Sequence, residues 1–422
     1  MNGRRWSLTS LSEQLLATRQ AKIEKVVEEA APKTWRAGKK TVDGQTTVTS
    51  KPYKDGQSPE HRKLLEDNGY DPDRFKIVGP VRQTSWTAYI PEAHRDDSGE
   101  YTFQAKAYRF QVVERAEGEL DIDEVLEILE QPAPEVPADL PFIYSHLDPD
   151  VPYVVAVGDT QIGKYENPLE ELIVRFKNLM LRAAAGPALL LEHEGVKMSH
   201  IHLPWLGDCI EGMNSQGGKN RWRTTLPITE QVRAFRRLLL WQVRLFAPLA
   251  ERLTVVSVPG NHDEANTRDL DTRVDDSWAV DVLAQVSDAL ELTEGYEHVE
   301  CYVPGPDERV VVMEVGGTIV VHSHGHEVKR KHGDFDYWAG QTFGMQPMGQ
   351  ATLWLRGHGH HWYIIENGQR KIIQVPSVEL FSQWYQDLTG TPGSPGIVTF
   401  QLWENELLNV SKLEPEALEG VA

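Results

Sequence analysis

Five short stretches of the chain carry side chains able to bind cations, and each closes an apolar run. They are "VGDTQ" (Asp159, Gln161), "LGDCIEG" (Asp208, Glu211), "VPGNHDE" (Asn261, His262, Asp263), "HSHGH" (His322, His324, His326) and "RGHGHH" (His358, His360, His361). Carboxylate, amide and imidazole together suit divalent transition ions such as Mn, Fe or Zn rather than an all-oxygen calcium cage. Two such ions about 4 Å apart would make a bridging water a nucleophile and clamp a phosphoryl group for in-line attack. Singly, each stretch has a plain alternative. Gly-Asp after a strand is commonly a turn, and a Gly-His-Gly-His loop can simply be solvated. The weight lies in five of them, in order, each where an apolar run stops.

The elements between them explain how distant loops could meet. "YVVAVG" (153–158), "IHLPWLG", "RLTVVSVPG", "TIVVHSHG" and "ATLWLRGHGH" read as strands. Between the first two, Leu169, Leu172, Ile173, Phe176, Leu179 and Met180 recur at helical spacing, with Asn167 as cap and Gly186 as stop. "TEQVRAFRRLLLWQVRLFAPLAE" is the next helix, and "WYIIENGQRKIIQV" is a hairpin turning at Asn367-Gly368. One further strand is expected in "PGIVTFQL". This alternation predicts an α/β layered domain over 151–422. In such sheets the loops beyond the carboxyl ends of the strands line one crevice. Gaps of 49, 53, 63 and 34 residues (159 to 208, to 261, to 324, to 358) are long enough for each return.

The front differs. Residues 1–40 carry nine bases against four acids and read as a helix opened by a capping box at Ser10 and Glu13. "KTVDGQTTVTSKPYKDGQ" reads as a loop, "SPEHRKLL" as a short helix ending at Asn68-Gly69, and "RFKIVGPVRQTSWTAYI" and "YTFQAKAYRFQVV" as strands. Residues 1–113 thus form a small α+β module. From Glu114 to Asp150 twelve acids face one base, Arg115, in a Pro-rich stretch that reads as a tether, residues 114–150. That stretch holds over half of the net charge of −20, so total charge does not exclude a polyanionic partner. Two cysteines, no apolar leader and no apolar run near eighteen residues point to a cytoplasmic protein without a disulfide framework or a membrane partner. Cys209 reads as a small buried filler.

The order D-x-Q, G-D-x-x-E, G-N-H-D, H, G-H-x-H resembles the calcineurin-like metallophosphoesterase superfamily over roughly residues 153–380. The resemblance implies a four-layer αββα sandwich with two divalent metals at the sheet edge, Mn foremost and Fe, Zn or Mg as alternatives. It implies that Asp159, Gln161, Asp208 and His360 hold the first metal. Asp208 would bridge to a second, held by Asn261, His358 and either His322 or His324, with His324, just before the glycine, favoured. His262 would stabilise or protonate the leaving oxygen, with Asp263 orienting it. The family most often has His where this chain has Gln161. A neutral amide is the poorer donor for softer metals, so weaker occupancy of the first site and a preference for Mn over Zn follow.

The family cleaves many phosphoesters, so the surroundings must choose. "GGKNRWR" brings Arg221 and Trp222 after the second motif, and "HEVKRKHGDFDYW" brings His326, Lys329 and Arg330 after the fourth. Cations interleaved with aromatics can grip phosphates and stack bases, although such runs are also commonly solvated surface. The arrangement looks closest to DNA-repair-type exonucleases of phages and bacteria. Hence the expectation is a two-metal phosphodiester hydrolase acting on DNA, with the front module gripping nucleic acid, a protein partner or a second copy. A small-molecule phosphatase or nucleotide phosphodiesterase, and a scaffold that has lost its chemistry, are the rivals.

Overall fold

A computed structural model of the chain describes residues 22–42, 45–54, 59, 61–90, 102–115, 126–127, 129–130, 147–213, 224–265, 273–328, 333–380, 386–387, 390, 393 and 395–415. The chain forms two compact units, Met1–Glu119 and Leu120–Ala422.

In the first unit, β1 (Gly38–Val42) and β2 (Gln45–Thr49) pair antiparallel with Val42 opposite Gln45. The stretch expected to be a loop is therefore largely a hairpin. Its signal was Asp43-Gly44 between Thr- and Val-bearing runs, the pairing that favours a two-residue connection. After the two-residue β3 (Tyr53–Lys54) comes α1 (His61–Asp67), which stops before Gly69 at φ 76°. It buries Leu64 and Leu65 on Val48, Phe110 and Val112. The long strands β4 (Phe75–Tyr89) and β5 (Thr102–Glu114) pair antiparallel, and β5 also receives β2 and β3. Helix covers 22–29, while the capping box at Ser10 lies outside the described residues.

Among the described residues the second unit holds two sheets. In the first, β6 (Tyr153–Ala156), β7 (Ile201–Trp205), β8 (Leu253–Ser257) and β9 (Val299–Tyr302) run parallel. The second contains β10 (Val311–Val315), β11 (Thr318–Ser323), β12 (Leu353–Arg356), β13 (Tyr363–Asn367) and β14 (Arg370–Gln374), with β11, β12 and β14 parallel. The antiparallel β15 (Ile397–Trp403) and β16 (Glu406–Leu413) extend the first sheet beyond β6.

Alternation along each strand decides the layers. On β6, Val154 and Ala156 face the other sheet with Leu353, Leu355 and Ile373, whereas Tyr153 and Val155 face helices. Three helices cover that side: α2 (Leu169–Glu194), α3 (Ile228–Phe246) and α4 (Trp278–Glu291). On the far side α5 (Asp334–Phe343) sets Trp338 against Val321, Trp354 and Ile372. The result is the expected αββα sandwich. Leu126, Leu129 and Leu147, from the acidic stretch expected to be a tether, also sit in the helix-side core.

Helix α2 runs past its expected stop at Gly186 and ends at Gly195, φ 68°. Pro187 lies inside it and cannot donate to Ala183 O, four residues back. The Tyr153 hydroxyl donates to that oxygen instead, at 3.1 Å. A strand side chain thus satisfies what the proline leaves open, and the helix continues.

A chain of buried histidines ties the two sheets. His322 Nδ1 lies 3.0 Å from Val311 O, which can only accept, so Nδ1 carries the proton and Nε2 accepts. His202 Nε2, 2.9 Å away, must then donate, leaving its Nδ1 to accept from the Thr254 hydroxyl at 2.7 Å. That leaves His200 Nε2 to donate to the same hydroxyl oxygen at 2.7 Å. Every role is filled with all three rings neutral. Burial, then the Arg252 charge, lowers His200 to about 4; burial lowers His202 well below its ordinary value. The unfolded chain takes these protons near pH 6.5 and the folded chain does not, so this stability is present above 6.5 and is lost as pH falls towards 4. At His200 the loss amounts to about 3 kcal/mol. Urea midpoints should fall between pH 7 and pH 4.5, and His200→Gln, which still donates but cannot charge, should flatten that fall. An unchanged slope in the variant would remove His200 from the account.

Candidate metal centre

All five motifs follow the carboxyl ends of parallel strands: β6, β7, β8, β11 and β12. Their loops converge, and the convergence is recorded in the backbone. Asp159 (φ 52°), Gln161 (42°), Asp208 (51°), His358 (69°) and His360 (53°) all adopt the left-handed conformation. For a residue with a Cβ this costs roughly 1–2 kcal/mol. Five of the seven expected ligands are held this way, so their surroundings must impose it. Crowding explains how. A Cβ on Gly260 would lie 2.1 Å from both the backbone N and Oδ1 of Asp208, and one on Gly207 2.8 Å from His324 Nδ1. Only glycine lets these loops approach so closely.

Asp208 is the hub. Its Oδ1 accepts the His262 backbone N–H at 2.8 Å, and its Oδ2 lies 3.0 Å from His324 Nε2. His324 Nδ1 donates to Leu206 O at 2.8 Å, which turns Nε2 towards the centre in the tautomer a ligand needs. One donor atom each from Asp208, His324 and His358 falls within a 4.8 Å span. Among the described residues, buried Asn261 Oδ1 meets no hydrogen-bond partner. Buried acceptors are rarely left so. This corner fits a divalent cation: an anionic oxygen, two imidazoles and an amide oxygen. Burial, then the His324 charge, lowers His358 to about 3, so its ring is in the neutral, ligating form. Burial disfavours charge on His324, yet Asp208 and then Asp159 raise it to about 9, a measure of how strongly the corner attracts positive charge.

The other corner is built differently. Asp159 accepts the His358 backbone N–H at 2.9 Å, and its Oδ1 lies 3.3 Å from His360 Nε2. His360 Nδ1 lies 2.7 Å from Glu379 Oε1. Lys164 Nζ donates to Gln161 Oε1 at 2.8 Å and to Glu379 Oε2 at 2.6 Å. Lys164 and Glu379 were absent from the sequence expectation. Glu379 had a signal, since it lies five residues past the end of β14, another parallel strand of the same sheet.

His262 is oriented by Glu211 rather than by Asp263. Its Nδ1 lies 3.0 Å from Glu211 O and 3.3 Å from Glu211 Oε2, and its Nε2 lies 3.9 Å from Asp208 Oδ2. The Asp263 carboxylate instead accepts from Ile210 N–H at 3.1 Å and Gly260 N–H at 3.0 Å, bracing the second and third loops together. Its role is a correction to the expected one. The cause is local: two backbone donors lie within its short reach. Burial opposes a charged His262, but Asp208 and Glu211 outweigh it and raise the ring to about 9. Burial pushes the Cys209 thiol well above its ordinary value, as suits a filler. His326 stands beside the ligands, its ring centroid 5.4 Å from that of His324 and 6.3 Å from that of His358, and Arg309 reaches its Nε2 at 3.2 Å. Arg221, Trp222, Lys329 and Arg330 lie outside the described residues.

Four layers and five strand-end motifs in this order define the architecture. The fold is an αββα sandwich, the architecture that the resemblance to calcineurin-like metallophosphoesterases implies. No family model matches the chain, and no curated protein matches it. Among solved structures, a single mutant of Vps29 from Entamoeba histolytica is 12% identical, covering 62% of this chain and 98% of that one at a TM-score of 0.28. A predicted phosphoesterase from Streptococcus pneumoniae TIGR4 is 14% identical, with 64% and 94% covered and a TM-score of 0.27. A novel archaeal phosphodiesterase is 12% identical, with 62% and 99% covered and a TM-score of 0.28. Likeness so distant carries no argument about this chain's chemistry, which rests on its own residues. No helix among the described residues is long and apolar enough to cross a membrane.

The crowding at Gly260 yields a test. Gly260→Ala must displace Asp208, so the variant should lose about 1–3 kcal/mol of stability. It should also lose the rise in melting temperature that Mn or Zn confers on the wild-type chain. A variant that keeps the full metal-dependent rise would show that Asp208 is not the hub.

Proposed function

We propose that the chain is a metal-dependent phosphodiester hydrolase whose substrate is DNA, cut as by an exonuclease. The observation that carries the hydrolase reading is the corner of Asp208, His324 and His358 beside the unpartnered Asn261 oxygen, with His262 poised above the same carboxylate. A divalent ion held there would supply Lewis acidity and an activated water. The chain's own groups do the rest. Glu211 O fixes the His262 Nδ1 proton, so Nε2 faces the Asp208 side, where it can hold a proton for the leaving oxygen. Asp208 and Glu211 raise that ring to about 9 against burial, so it carries a proton at neutral pH.

For DNA, the support is the surroundings. Arg309 and His326 flank the ligands. Tyr165, beside Lys164, is 66% exposed, and Trp362, two residues past His360, is 39% exposed; solvent-facing rings at such positions can stack bases. The sequence adds Arg221, Trp222, Lys329 and Arg330 as phosphate and base contacts. A scaffold that has lost its chemistry draws support from one observation, the engagement of Gln161 by Lys164. It leaves the poised His262 without a purpose.

The test sets Mn-loaded protein against labelled DNA, RNA, a cyclic nucleotide and an aryl phosphodiester. DNA should be degraded, with binding that weakens steeply as salt rises, because gripping several phosphates releases counterions. A shallow salt dependence with turnover of small esters only would assign a small-molecule enzyme. His262→Ala should lower kcat by about 10²- to 10⁴-fold while metal content stays unchanged. Unaltered turnover would take the leaving-group role from His262.

A further inference from the structure

The two corners differ in one respect that the ligand pattern does not convey. At Asn261 a buried amide oxygen stands open among the described residues. At Gln161 the corresponding oxygen is engaged by a buried ammonium: Lys164 is 5% exposed, and its Nζ lies 2.8 Å from Gln161 Oε1. An ion bound to that oxygen at about 2.1 Å would stand within about 5 Å of Nζ, two cations facing each other where water is excluded.

Lys164 is also fastened from several sides. Glu379 Oε2 accepts from it at 2.6 Å, and Glu379 Oε1 lies 2.7 Å from His360 Nδ1, so one carboxylate links the lysine to an expected ligand. Arg175 Nε donates to Val378 O at 2.8 Å, fixing the residue before Glu379. Gly163, φ 96°, presses on Gln231, where a Cβ would fall 2.6 Å from Gln231 Cδ. Asn167 Nδ2 closes the loop by donating to Thr160 O at 3.1 Å. The lysine is thus built into the first corner as firmly as the ligands are built into the second.

We infer that the centre holds one divalent cation tightly, at the Asp208, Asn261, His324 and His358 corner. Lys164, tethered by Gln161 and Glu379, supplies a fixed positive charge at the other corner. Gln161 is then a tether for the lysine and not a metal ligand, and its departure from the family's usual histidine has a purpose. This rests on the metal-centre reading above and replaces the two ions that the resemblance implies.

Metal stoichiometry decides it without reference to activity. The full chain is stripped with chelator, reloaded with Zn or Mn, dialysed, and its metal measured by elemental analysis. The wild type should keep one ion per chain, with any second equivalent bound at least 100-fold more weakly in a chelator competition. Gln161→His combined with Lys164→Met, which supplies the usual ligand and removes the charge, should keep two. Two tight ions in the wild type would overturn the inference and leave the hydrolase reading standing. No ion in the wild type would overturn both. Should the double variant fail to fold, anomalous diffraction from a Zn-soaked wild-type crystal gives the answer. A single ion beside His324 supports the inference, and an ion within about 2.3 Å of Gln161 Oε1 overturns it.

Discussion

A carboxylate with almost no access to water sets the terms for the second unit. Asp208 is 1% exposed, at the end of a central strand, and Asp159, 0% exposed, ends the strand beside it. Burying such a charge costs several kcal/mol unless donors and opposite charges surround it. The structure provides them from four directions: the His262 N–H, the His324 ring, the His358 N–H on Asp159, and the His360 ring. None of these is near in sequence to the group it serves. The sheets must therefore end at one place for the carboxylates to be tolerated at all.

Parallel strands supply that place. Their carboxyl ends share an edge, so five loops from two sheets can be brought together by strand register alone. The remaining requirement is rigidity. Left-handed ligand residues would relax if their loops could part, and what prevents this lies well below the site. The sheets interlock through Val154, Ala156, Leu353 and Leu355, and the His202–His322 contact bridges them in a single tautomeric arrangement. Backbone strain at the rim is sustained by the packed interior beneath it.

Features written locally were legible in the sequence. Strand, glycine, then a polar side chain is a pattern of adjacent residues, so the place of Asp159, Asp208, Asn261, His358 and His360 at one sheet edge could be found by reading along the chain. The hairpin turning at Asn367-Gly368 followed from turn chemistry. Asp263 was misplaced because its neighbour His262 looked like its partner, whereas its partners are Ile210, 53 residues away, and Gly260. The helix stop at Gly186 failed for the same reason, since the hydroxyl that lets α2 continue comes from Tyr153, 30 residues from the carbonyl it serves. Lys164 and Glu379 stand 215 residues apart and look like ordinary surface charges until the fold brings them together. The hairpin of β1 and β2 is a different kind of miss, a local turn signal passed over because the stretch around it was so polar.

The charges in the interior offer an independent view of the site's composition. Glu211 is matched by His262, 3.3 Å away, and Asp263 rests on the Ile210 and Gly260 N–H groups, which leaves Asp159, Asp208 and Glu379 as the buried carboxylates that face side-chain cations. Lys164, itself buried, pairs with Glu379 at 2.6 Å. The other two call for two positive charges. In the absence of metal, His324 and His360 answer that call, raised to about 9 and about 10 against the opposing effect of burial by the very carboxylates they face. One divalent ion at the Asp208 corner would return His324 to the neutral form in which imidazole ligates. A second ion, at the Gln161 corner, would find its oxygen donor committed to Lys164.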